Sequence, residues 1–221
     1  MIVLHKKAKG YAGICLLLFL AILSCLYTFA DGQAAWFSNI FFDKLVVFLL
    51  TPPFMVGLLL IEKSVTPVVL TRTKSRIYAL LFQLIQQYFL AFVYLSVWFV
   101  LVILFSLLKF RGGITELNAS DLLQWYFRFL FGFIILTNGA VLLKKSGVKA
   151  LASASYILVY LFFALEILTV IPELDQQLGV EINLIFSWMF YDGAMGLAVM
   201  LILIVGLTAA ILFVNKREDI F

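Results

Sequence analysis

The sequence predicts an all-α membrane protein of six transmembrane helices with both termini in the cytoplasm, and three observations carry that prediction. Of 221 residues, 65% are hydrophobic and 13% charged, with a mean hydropathy of +1.13, whereas soluble domains are about 45–50% apolar and about 25% charged. A water-soluble globule could not hide that much apolar surface, which excludes a soluble enzyme or a nucleic-acid-binding domain. Six stretches have the length and apolarity needed to cross a bilayer, which takes about 20 residues of helix. The basic residues then sort those stretches into a consistent topology.

The six stretches are 11–29, 45–61, 79–108, 125–143, 150–171 and 194–214. They fill more than half of the chain, which reads as one transmembrane domain over 1–221. Twelve of the sixteen Lys and Arg fall in four segments on one side: Lys6, Lys7 and Lys9; Lys63, Arg72, Lys74 and Arg76; Lys144, Lys145 and Lys149; and Lys216 and Arg217. Positive residues stay in the cytoplasm, so both termini are expected inside. The basic start, the apolar run and Ser24-Cys25 have the outline of a lipoprotein signal peptide. Leu23 fits poorly before that pair, so an uncleaved first span is expected.

The second span carries Thr51-Pro52-Pro53. Proline removes a donor and crowds the preceding turn, so a kink or break is expected there, either as a bent packing helix or as a hinge. The following loop contains Thr66-Pro67, a pattern that starts helices. A short helix from Pro67 to Arg76 would present Val68, Val69 and Leu70 beside Arg72, Lys74 and Arg76. Such a helix suits the lipid headgroup layer or a groove on a cytoplasmic partner.

The third span is long for a bilayer and is expected to tilt or to begin in the cytoplasm. Its Gln83, Gln86 and Gln87 share one helix face. Amides facing lipid would lack partners, so they turn toward other helices or a wet cavity. Gln83, Gln87 and Asn138 in the fourth span are candidate pathway-facing residues, with interhelical bonding as the plainer role. Glu166 is the acid well inside a span, a costly placement that asks for a partner. Arg128, at similar depth in the neighbouring antiparallel span, is the candidate partner. Between spans five and six, the stretch 183–191, with Asn183, Trp188 and Tyr191, reads as an interfacial or re-entrant helix. Asn118-Ala119-Ser120 matches a glycosylation sequon, meaningful only in a eukaryotic source.

Catalytic chemistry is missing. The chain has one histidine, two cysteines in one apolar run, no phosphate-cradling glycine loop, no nucleophile elbow and no HExxH. No catalytic, cofactor-binding or metal-binding residues are expected, and an enzyme is improbable.

Six spans with both termini inside, a Pro- and Arg-containing loop after span two, an interfacial segment before span six and the charged end Lys216–Phe221 together resemble the small permeases of type-2 ABC exporters. In that family the loop after span two carries the coupling helix, which docks on a separate ATPase. The resemblance therefore implies that Thr66, Pro67, Leu70, Arg72, Lys74 and Arg76 couple to an ABC ATPase subunit that holds the ATP and magnesium. It implies that 183–191 forms the outer gate, and that a second permease copy or a homologous permease completes the pathway. The family's amphipathic N-terminal helix has only ten residues available here. The function implied is export of a hydrophobic or amphipathic cargo, such as a peptide toxin, antimicrobial peptide or lipid-like drug, from a bacterial plasma membrane. The alternative is a scaffold, sensor or immunity protein that binds a peptide without moving it. An ion channel would need a polar lining, for which the Gln83/Gln87 face is the candidate.

Overall fold

A computed structural model of the chain describes residues 2–29, 32–33, 36–37, 40, 44–72, 76–110, 119–162 and 194–218. These form six long helices: α1 (Ile2–Phe29), α2 (Lys44–Arg72), α3 (Arg76–Lys109), α4 (Ala119–Lys145), α5 (Ala150–Phe162) and α6 (Ala194–Glu218). Four contain segments long and apolar enough to cross a membrane: Gly10–Thr28, Ile77–Lys109, Ser120–Lys145 and Gly196–Asn215. The apolar part of α2, Val46–Ile61, is shorter. The protein is thus a helical membrane protein.

Helix α4 is the hub, packing against α3, α5 and, most extensively, α6, while α2 lies against α3 and α5. An aromatic knot ties α1 to α4. Phe19 meets Tyr94 and Trp98 edge-on with ring centroids 4.9 and 5.3 Å away, and Phe54 meets Phe133 at 4.9 Å. Apolar side chains gain nothing by leaving a lipid of equal apolarity, so close packing and interhelical hydrogen bonds carry this association. At one end of α3, Lys109 donates to the Tyr27 carbonyl and sits over the Tyr27 and Trp36 rings at 4.7 and 5.6 Å.

Two expectations about α2 meet the structure. Of the kink or break expected at Thr51-Pro52-Pro53 the break is corrected, and no new helix starts at Thr66; α2 is continuous to Arg72. Proline's fixed φ is itself helical, so the cost is missing donors rather than a forbidden backbone. Hydroxyls surround the proline pair. Thr51 donates to the Val47 carbonyl at 2.8 Å, Tyr94 of α3 to the Leu50 carbonyl at 2.8 Å, and Tyr11 of α1 to the Pro53 carbonyl at 2.9 Å. The donors that Pro52 and Pro53 lack would have met the Phe48 and Leu49 carbonyls, so these three bonds do not replace the missing pair; those from Tyr11 and Tyr94 fasten the segment to α1 and α3. Of the stretch expected to form a separate coupling helix, 67–72 is the end of α2, Arg76 opens α3, and 73–75 lie outside the described residues.

Helix α4 ends in a Schellman cap. Gly147, at φ 92°, donates to the Lys144 carbonyl at 3.0 Å, and Val148 to the Leu143 carbonyl at 3.1 Å. The chain then turns directly into α5.

Candidate functional site

Two adjacent residues of α3 face two adjacent residues of α4 across the bundle, and all four are polar. Gln87 and Thr137 lie on one side of the contact, and Tyr88 and Asn138 on the other. Asn138 is fully buried. Its carbonyl oxygen accepts from the Tyr88 hydroxyl at 2.6 Å, and its amide nitrogen donates to the Thr208 hydroxyl of α6 at 3.2 Å. Thr208 in turn donates to the Ile204 carbonyl at 2.7 Å. Two turns further along, Lys145 donates to the Asn215 side-chain oxygen of α6 at 2.8 Å. These bonds weld α3, α4 and α6 together inside the membrane-length segments.

Gln87 is different. It is 3% exposed, and its Oε1 has no hydrogen-bond partner among the described residues. It lines a cavity of about 20 Å³, together with Met55, Thr137, Lys144 and Ser153. That is room for one water molecule. Thr137 spends its hydroxyl proton on the Phe133 carbonyl at 2.8 Å. A half-buried lysine, two hydroxyl residues and an amide thus share one small space with the apolar Met55, Leu58, Leu59, Ala140, Val141 and Ala154, between α2, α3, α4 and α5. Such an arrangement can hold a small polar group. Among the described residues no group of three or more His, Cys, Asp or Glu could hold a metal ion.

The structure thus brings Gln87 and Asn138 into one polar layer. Gln83, one turn away on the same helix, is half-buried. Arg128 of α4 is 1% exposed and among the largest fully buried side chains described. Its expected partner Glu166 lies outside the described residues, as do Lys74, the sequon residue Asn118, and Asn183, Trp188 and Tyr191 of the expected outer gate. Thr66, Pro67, Leu70 and Arg72 belong to the end of α2, and Arg76 opens α3.

Sequence reasoning missed Tyr88, Thr208, Lys144 and Ser153 as members of this layer. Tyr88 could have been found beside the glutamines, on the same polar island of an apolar helix. Lys144 reads in the sequence as part of a cytoplasmic-side connection, yet it borders the cavity because α4 continues two residues past the apolar run. Set against protein-family models, curated proteins and solved structures, the chain matches none.

Proposed function

We propose that the chain is the permease subunit of an ATP-driven exporter, carrying a hydrophobic or amphipathic cargo out of a bacterial cell. In this reading six segments span the plasma membrane, both termini are cytoplasmic, and the segment before α6 folds back as an outer gate. A separate ABC ATPase binds the ATP and magnesium. The end of α2 and start of α3, with Thr66, Pro67, Leu70, Arg72, Lys74 and Arg76, transmit its motion, and a second permease completes the pathway.

The observation that carries the reading is Gln87, a buried amide oxygen without a hydrogen-bond partner among the described residues, facing a small cavity within an apolar helix bundle. Uncompensated polarity there costs stability and marks a site of use. The ATPase partnership is supported by the arrangement of the basic loop and spans, as the resemblance implies.

The test is a pull-down of the tagged chain in mild detergent, with mass spectrometry of its companions. The expected result is a stoichiometric nucleotide-binding subunit that is lost when Arg72, Lys74 and Arg76 are reversed to glutamate. If a stable chain brings down no ATPase, the exporter has no motor and the scaffold, sensor or immunity reading takes its place.

A further inference from the structure

Among the described residues, α4, α5 and α6 enclose a groove of about 460 Å³ whose walls are almost wholly apolar. Ile135, Gly139 and Leu143 of α4, Tyr156 and Ile157 of α5, and Leu207 of α6 line it. It lies on the face of α4 away from the Gln87 cavity and opens sideways, where the membrane would be.

Each wall runs inward from a basic or polar residue at one end of the bundle. On α4 the groove ends at Leu143, directly before Lys144 and Lys145, and reaches Ile135, eight residues deeper. On α5, Ile157 lies eight residues beyond Lys149. On α6, Leu207 lies eight residues before Asn215, which holds Lys145 at 2.8 Å. Eight helical residues span about 12 Å. One leaflet of hydrocarbon is about 15 Å deep, half of a core of about 30 Å. The groove is therefore about one leaflet deep, with three lysines within six residues at its head and no acid in the Leu143–Ala150 connection.

We infer that this groove seats an acyl chain of an anionic phospholipid, with the phosphate at Lys145 and Lys149. The charge at the groove's mouth chooses the lipid class, because a cluster of cations between membrane helices attracts anionic headgroups. The apolar walls hold the chain, and the matching depth fixes where the headgroup sits. Lys149 is exposed, and Lys145 is held toward α6 by Asn215. The inference requires only that these helices span a membrane, and stands apart from the exporter reading.

The test is native mass spectrometry of the purified full chain with phosphatidylglycerol and phosphatidylcholine of identical acyl chains. Phosphatidylglycerol is expected to bind preferentially, with about fivefold weaker binding for each lysine neutralised in Lys145→Gln and Lys149→Gln. Leu207→Trp, which fills the groove, is expected to remove the adduct with the lysines intact. Because Lys145→Gln also breaks a helix–helix bond, the exposed Lys149→Gln keeps the headgroup assignment open to refutation if the first variant does not fold. Equal binding of the two lipids overturns the headgroup assignment. A phosphatidylglycerol adduct indifferent to Leu207→Trp overturns the groove, as does a lipid-free dimer that Leu207→Trp converts to monomer.

Discussion

The Tyr11 hydroxyl of α1 donates to the Pro53 carbonyl of α2 at 2.9 Å, so the second proline of the pair is tied to a helix 42 residues away in sequence. Tyr11→Phe keeps the ring and removes only that bond. It is expected to cost about 1 kcal/mol, within the range of membrane hydrogen bonds and of buried acceptors left unpaired. Tyr94→Phe, which frees the Leu50 carbonyl, is expected to cost a similar amount. Thermal unfolding in detergent reads both, and no change in either would mean that the carbonyls are satisfied within α2.

Gly57 lies under the same tyrosine. A Cβ at this position would meet the Tyr11 ring, with Cζ at 2.7 Å, and Leu90 Cδ2 at 3.1 Å. Gly57→Ala is therefore expected to cost more than Tyr11→Phe, about 2 kcal/mol, by overpacking the α1–α2–α3 junction. Pairing it with Tyr11→Ala should recover part of the loss. An additive double variant would show that the two residues do not press on each other.

Gln87 and Asn138 are expected to respond with opposite signs. Asn138→Leu strands the Tyr88 and Thr208 hydroxyls of a complete network and should lose about 1–2 kcal/mol. Gln87→Leu removes an acceptor that has no partner among the described residues, so stability should hold or rise while transport falls. Unfolding midpoints and an export assay, run on both variants, separate the structural amide from the working one. A Gln87→Leu chain as unstable as Asn138→Leu would make Gln87 another packing residue.

The Schellman cap predicts a further asymmetry. Gly147 has a positive φ of 92°, a conformation that costs an L-residue about 1–2 kcal/mol. Gly147→Ala should be destabilising by about that amount and Gly147→Asn by less, since asparagine tolerates left-handed backbone. Equal midpoints for glycine and alanine would mean that the turn relaxes.

The sequence displayed the helices far better than the contacts among them. Hydropathy placed α1, α3, α4 and α6 because a bilayer demands long apolar runs, and those runs coincide with Gly10–Thr28, Ile77–Lys109, Ser120–Lys145 and Gly196–Asn215. It misjudged α2, where local rules break a helix at Pro52-Pro53 and start one at Thr66-Pro67. Tyrosines from two other helices supply hydrogen bonds around the first pair, and no local pattern contains that information. Gln87 and Asn138 were legible as polar residues in apolar helices. That one sits in a completed network and the other faces a cavity depends on Thr208, Lys144 and Ser153, which are distant in sequence. Arg128 is legible only as a candidate partner for Glu166; the structure buries it, and Glu166 lies outside the described residues.

Both side-chain bonds from the amide and lysine of α4 to side chains of α6, Asn138 to Thr208 and Lys145 to Asn215, bridge 70 residues of sequence. At about 5–20 residues per second, a ribosome needs several seconds to make that length. During synthesis, then, Asn138 has Tyr88 for company but no Thr208, and Lys145 has no Asn215. A nascent or truncated chain lacking α6 therefore carries an incompletely bonded amide and an untethered lysine side chain. Adding α6 completes both bonds.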